Sequence, residues 1–186
     1  QGKMHDAVAS YRKAIAIKSD YAAAHNNLGL AFKELGKLDD AVASYLKALA
    51  IKPDYAEAHN NLGNGFREQG KLDDAVASYF QTLAIKPDYA EAHNNLGITL
   101  QEQGKLDDAV ASYYKAIAIK SDYAAAHNNL GRAFKELGKL DDAVASYLKA
   151  LAIKPDYADA HNNLGITLQE QGKLDDAVAS YLKAIN

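Results

Sequence analysis

The sequence predicts an all-α solenoid of antiparallel helix-turn-helix hairpins, and three observations predict it. The letters HNNLG begin at His25, His59, His93, His127 and His161, so the chain repeats itself at the step that separates His25 from His59. A fixed period of roughly 20–50 residues marks a repeat architecture before any single element is assigned. Within each period apolar residues recur twice at helical spacing, and glycine and proline punctuate the same two places.

Counted from Ala22, complete units span 22–55, 56–89, 90–123 and 124–157, followed by an incomplete unit at 158–186. Residues 1–21 read as the second helix of an earlier unit. No unit carries an insertion, so 1–186 reads as one array. In the unit 56–89, Ala58, His59, Leu62 and Phe66 lie at spacings of three and four and form the stripe of a first helix. Gly70 suits the left-handed residue that ends such a helix. Asp73 and Asp74 then fall in the first turn of a second helix, where carboxylates favour the positive end of its dipole. The second stripe runs through Leu72, Ala75, Val76, Tyr79, Leu83 and Ile85. Pro87 stops that helix, and Asp88 with Glu91 is placed to form a capping box for the next one.

Gly63 and Ala75 occupy core-facing positions where a small side chain lets the two helices approach closely. Tyr79 is large enough to fill the space toward the next hairpin.

Composition removes several classes of function. The net charge of −3 comes from 21 Lys and Arg against 24 Asp and Glu, interleaved along the chain. Such a surface offers no basic stripe to phosphates, so nucleic acid is not an expected partner. There is no cysteine, which excludes thiolate zinc and fits a reducing, cytoplasmic setting. The charge-free runs are far shorter than the ~20 residues a membrane-spanning helix needs. No signal segment is visible, and because it starts at Gln1 and not Met the chain reads as part of a longer one.

Leu62, Gly63, Phe66, Ala75, Tyr79 and Pro87, at these spacings, resemble the tetratricopeptide repeat, and the resemblance extends over the whole chain. His25, His59, His93, His127 and His161 stand where that family usually has Trp, Thr82 stands at a usually smaller position, and Ser19 and Ser121 replace the usual Pro. The wording of the units, in AAAHNNLG, GKLDDAVASY and LAIKPDY, is most similar to the superhelical repeat region of O-GlcNAc transferases. The resemblance implies a right-handed superhelical solenoid whose first helices line a concave groove.

Metal binding and catalysis fare poorly as readings of the repeated polar residues. The five histidines share a stripe with the core leucines, and no second ligand follows at helical spacing, so they read as packing residues and no metal or cofactor is expected. Ser44, Ser78, Ser112, Ser146 and Ser180 recur identically, whereas a nucleophile needs a unique constellation with an oxyanion hole. NLGNG around Gly63 lies inside a helix and lacks the strand and Lys-Ser/Thr of a phosphate loop. The chain is therefore expected not to be an enzyme.

The asparagines carry the positive expectation. A 100° step per residue places Glu57, Asn60, Asn64 and Arg67 opposite the core stripe, with Asn61 and Glu68 at its flank. Asparagine is a poor mid-helix residue, so a pair in every unit calls for a reason. Its amide both donates and accepts, which suits pairing with a peptide backbone whatever side chains that peptide carries. The expected peptide-binding residues are thus Asn26, Asn60, Asn94, Asn128 and Asn162 together with Asn27, Asn61, Asn95, Asn129 and Asn163. The resemblance implies that the second member of each pair forms the ladder; the competing reading is that the amides satisfy one another. Units 22–55 and 124–157 differ only in Leu30 against Arg132, and the same position holds Asn64, Ile98 and Ile166. These five residues complete the expected groove. Lys or Arg, needed by the carboxylate-binding members of the family, is absent at Ala23, Asn26, Glu57, Asn60 and Glu91.

The expectation is a non-enzymatic scaffold that binds an extended peptide or partner protein. Two alternatives stand beside it: a substrate-recognition arm of a larger glycosyltransferase, and a self-assembling array. The second alternative rests on the ends, where a second-type helix at Gln1 and an interrupted one at Asn186 would leave apolar surface for end-to-end homo-oligomers. Packing yields the first testable consequence: Ala75→Leu should lower the melting temperature well below that of Lys71→Leu, since overfilling a close contact costs ~1–3 kcal/mol and a solvated position costs little. Equal melting temperatures would count against the assigned core face.

Overall fold

Each half of the unit becomes one helix, and Gly70 shows why the first one stops. Its φ of +74° is a conformation that side chains resist, and it lets Gly70 N–H donate to the Arg67 carbonyl and Lys71 N–H to that of Phe66, both at 2.9 Å. The structure, a computed structural model, describes residues 2–185; Gln1 and Asn186, on which the expectation about the ends rests, lie outside the described residues. Among the described residues the helices are α1 (Gly2–Ile17), α2 (Ala22–Glu34), α3 (Leu38–Ile51), α4 (Ala56–Glu68), α5 (Leu72–Ile85), α6 (Ala90–Glu102), α7 (Leu106–Ile119), α8 (Ala124–Glu136), α9 (Leu140–Ile153), α10 (Ala158–Glu170) and α11 (Leu174–Ile185). They form a repeated helical hairpin arrangement, as the periodicity predicts.

Two compact units divide the chain, Gln1–Ala92 and His93–Asn186, with the division inside α6. In the first, α1 packs on α2, α2 on α3, α3 on α4 and α4 on α5, and α2 also touches α4. In the second, α7 packs on α8, α8 on α9, α9 on α10 and α10 on α11, and α8 touches α10. Within each unit, first helices therefore lie beside the first helices of the next repeat as well as against their own partners.

The contact that closes each hairpin is a tyrosine ring on a helical glycine. Tyr45, Tyr79, Tyr113 and Tyr147 are fully buried. A Cβ placed on Gly63 would lie 2.7 Å from Cε1 of Tyr79, and the equivalent ring meets Gly29, Gly97, Gly131 and Gly165 in their hairpins. Around it Ala41, Ala75, Ala109 and Ala143 are also fully buried, as the small-residue reading requires.

Two expectations are corrected. The first helix α4 is capped by the backbone of Tyr55 with no side-chain hydrogen bond, and Tyr89 holds the corresponding place ahead of α6, with Ala92 N–H on its carbonyl. Asp88 therefore sits one residue too early to cap, and no box forms with Glu91. Glu57 instead lies against the Tyr55 hydroxyl, whose pKa is raised mainly by burial and further by that carboxylate. Ile85 is exposed together with Ile51, Ile119 and Ile153, because the second helix has turned that position outward by its last turn.

The glycine contact predicts that Gly63→Ala costs ~1–3 kcal/mol through overpacking. In a double-mutant cycle with Tyr79→Leu the two losses should add to less than their sum, since removing the ring relieves the clash. Strict additivity in urea unfolding would contradict the contact.

Candidate functional site: the face of the first helices

The paired asparagines sit in the middle of each first helix and have different fates. Asn26, Asn60, Asn94 and Asn128 are buried, whereas Asn162 on α10 is exposed. The single-helix projection put this position on the open side; the next first helix covers it, as α4 does at Asn26 and α10 at Asn128. Among the described helices, α10 has no later first helix beside it. The second asparagine bonds back across the repeats. Asn61 Nδ2 donates to Asn26 Oδ1 at 3.0 Å in the first unit. In the second unit Asn129 Nδ2 donates to Asn94 Oδ1 at 3.0 Å and Asn163 Nδ2 to Asn128 Oδ1 at 3.1 Å. The first amide thus serves as the seat of the next one.

Asn27, Asn61, Asn95 and Asn163 remain partly exposed and Asn129 is buried. In Asn61, Asn129 and Asn163 the bond to the seat uses one N–H of an amide that has two donors and an acceptor oxygen, whereas Asn27 Oδ1 accepts from Asn26 Nδ2 at 3.5 Å. The variable position lies one turn further on the same face. Leu30 and Arg132 are exposed, and Asn64, Ile98 and Ile166 are half-buried. Asn27 and Leu30 line a cavity of about 170 Å³ with Met4, Ala7 and Tyr11 of α1. Asn64 is partly spent internally, its Oδ1 accepting the Tyr79 hydroxyl at 2.8 Å. At Tyr147, burial pushes the hydroxyl up to about 12, with Thr167 and Arg132 opposing; it stays a neutral phenol at physiological pH.

Sequence reasoning missed a second ladder along the ends of the first helices. Lys33 pairs with Glu68 at 3.2 Å, Lys135 with Glu170 at 3.0 Å, and Gln101 donates to Glu136. Gln101 also accepts the Tyr113 hydroxyl at 2.8 Å, so the carboxyl row is tied to the buried rings. The signal was available: Lys33 and Glu68 stand one residue more than a unit apart, the same step as Asn26 and Asn61.

The histidines act in the turns. Nε2 of His59 lies 2.8 Å from the Pro53 carbonyl and that of His161 2.9 Å from the Pro155 carbonyl. His25 and His127 reach the carbonyls of Ser19 and Ser121 at 3.1 and 3.4 Å. A carbonyl only accepts, so Nε2 carries the proton and holds the turn before each first helix. The acceptor is backbone, which explains why Ser replaces Pro there without loss. Ser44, Ser78, Ser112, Ser146 and Ser180 each donate to the carbonyl four residues back, an ordinary helical use of the hydroxyl. Among the described residues no His, Cys, Asp and Glu are grouped to hold a metal ion, and no helix is long and apolar enough to cross a membrane.

The TPR repeat model matches residues 1–36, 29–66, 63–104, 99–138 and 131–172. The chain belongs to the TPR repeat family. Among solved structures, MamA is 28% identical, covers 85% of this chain and 92% of its own, and has a TM-score of 0.76. A thermophilic TPR protein of Thermus thermophilus is 27% identical over 88% of this chain and 90% of its own, with a TM-score of 0.74. YrrB, described as a TPR protein with an unusual peptide-binding site, shares the fold at 23% identity, 94% and 90% coverage and a TM-score of 0.72. No curated protein sequence matches the chain. TPR proteins act as protein-interaction scaffolds.

One turn histidine, His127, has a pH consequence. Burial lowers the pKa of His127, partly offset by the Ser121 carbonyl, and its Nδ1 is buried without a partner. The folded state therefore binds fewer protons than the unfolded state as pH falls through the unfolded pKa of ~6.5. Stability from this residue should be present above that pH and fall away in acid. Chemical unfolding at pH values of about 7.5 and 5.5, on either side of that pKa, should show a smaller acid loss for His127→Gln than for the native chain.

Proposed function

We propose that this TPR chain is a non-enzymatic scaffold that binds an extended segment of a partner protein on the first-helix face of its units. The observation that carries the reading is the seating of Asn61, Asn129 and Asn163 by the asparagines of the preceding repeat. An amide held on one side needs little further ordering to meet a peptide bond on the other, which lowers the cost of binding. Asn61 and Asn163 are seated and still partly exposed, which a side chain serving only its neighbour would not require; Asn129 is seated and buried.

Peptide backbone pairing would use Asn27 and Asn61 in the first unit and Asn95, Asn129 and Asn163 in the second. Side-chain preference would come from the variable position: apolar at Leu30, Ile98 and Ile166, cationic at Arg132, mixed at Asn64. The peptide backbone is thus read by what the repeats share and the side chains by what they do not.

A displayed random-peptide library should yield binders to the native chain. Replacing Asn27, Asn61, Asn95, Asn129 and Asn163 together by Ala should weaken those binders at least about tenfold while helicity is kept, a loss expected when several central contacts of an interface are removed together. Retained affinity in a helical variant would remove the ladder.

A further inference from the structure

A second surface lies on the other side of the first helices, where two neighbouring second helices flank one first helix. In the second unit, α9 and α11 flank α10 and leave a cavity of about 780 Å³. Leu164 and Leu168 of α10 form its floor, Leu148 and Leu151 of α9 one wall, and Lys173, just ahead of α11, and Lys183 on it stand at the rim with Asp176. Its size is that of a specific ligand pocket, ~300–1,000 Å³. The corresponding place between α1 and α3, floored by Leu28 and Phe32, measures only about 290 Å³.

The sibling repeats show what fits there. Each such groove is governed by one residue of the earlier second helix and one of the first helix that follows. In the first unit the pairs are Arg12 with Phe32 and Leu46 with Phe66; in the second they are Tyr114 with Phe134 and Leu148 with Leu168. Of these only the last has no aromatic ring. Tyr114 and Phe134 meet edge to face at 6.3 Å, and the Arg12 guanidinium lies 5.7 Å from the Phe32 ring centre. Leu148, at the equivalent of Tyr114, is exposed. The groove is the repeat's aromatic site with the aromatic taken out.

We infer that this groove is a docking site for an aromatic side chain on an acidic segment of a partner protein, distinct from the peptide face proposed above. Shape is set by the missing ring, and a buried aromatic group brings the large apolar area and edge contacts that such a site rewards. Charge is set by the rim, where two ammonium groups outnumber the one carboxylate. The ring enters between α9 and α11 and rests on Leu164 and Leu168, while flanking carboxylates reach Lys173 and Lys183.

The test uses the blocked peptide Asp-Glu-Trp-Glu-Asp. The chain contains no Trp, so emission at tryptophan wavelengths reports the peptide alone. Titration should give a saturable blue shift and a rise in anisotropy. Leu148→Tyr with Leu168→Phe, which rebuilds the Tyr114–Phe134 pair, should weaken binding at least about tenfold, the loss of an anchor in its pocket. Lys173→Glu with Lys183→Glu, which leaves the core untouched, should weaken it several-fold and reduce its salt dependence. The five-asparagine variant should bind as the native chain does, so that failure of the peptide face and failure of this groove are told apart. Absence of saturation, equal binding of a Trp→Leu peptide, unchanged affinity in the rebuilt-pair variant, or loss in the five-asparagine variant would each overturn the assignment.

Discussion

The rest of the structure depends on a tyrosine ring packed against a glycine inside each hairpin. Without a Cβ at Gly63 the ring of Tyr79 comes closer to the first helix than a Cβ there would allow. That closeness sets the spacing of the two helices, and the spacing sets where every other side chain emerges. Glycine is unfavourable in a helix interior by roughly 0.5–1 kcal/mol relative to alanine. Its presence inside α2, α4, α6, α8 and α10 is therefore a local loss accepted for a tertiary contact, and contacts within and between hairpins are where repeat proteins find their stability.

Once the hairpin is fixed, the neighbour relation follows from length. Asn26 and Asn61, Asn94 and Asn129, Asn128 and Asn163, Lys33 and Glu68, and Lys135 and Glu170 are all offset by one unit plus one residue. Neighbouring first helices are thus slid by a constant amount. An insertion inside a unit would shift both the buried amide row and the surface charge row at once. The invariance of unit length is in this sense a condition on the polar contacts, over and above the apolar ones. The buried amides raise its force, because an unsatisfied one costs ~1–3 kcal/mol whereas a broken surface ion pair costs little.

Much of this was legible in the letters. Period, helix boundaries, the turn glycines and the core alanines and tyrosines all follow from rules that act within one unit. The site was less legible because its geometry is made between units. Projection of α4 alone turned Asn60 to the open side; at the equivalent Asn26 and Asn128 the next first helix covers the position and converts it from a candidate ligand into a support. The capping box failed for a local reason, a one-residue slip that gives the cap to Tyr55 and Tyr89. The exposed row of Leu46, Phe80, Tyr114 and Leu148 does not show in the two nearly identical units, because both carry Leu at that position.

Near-identity of the units is also what makes their differences informative. A residue repeated in every unit can build, seat or orient, but it cannot tell one place along the array from another. Among the positions that vary from repeat to repeat are the one occupied by Leu30, Asn64, Ile98, Arg132 and Ile166, and the one occupied by Arg12, Leu46, Phe80, Tyr114 and Leu148. They emerge on different sides of the hairpins, the first beside the seated amides and the second at the grooves between second helices. A helical hairpin has only these two long faces free once its neighbours are in place. A chain built from one repeated unit therefore has at least two rows along which its copies can differ, and in this chain the residues along both are not uniform.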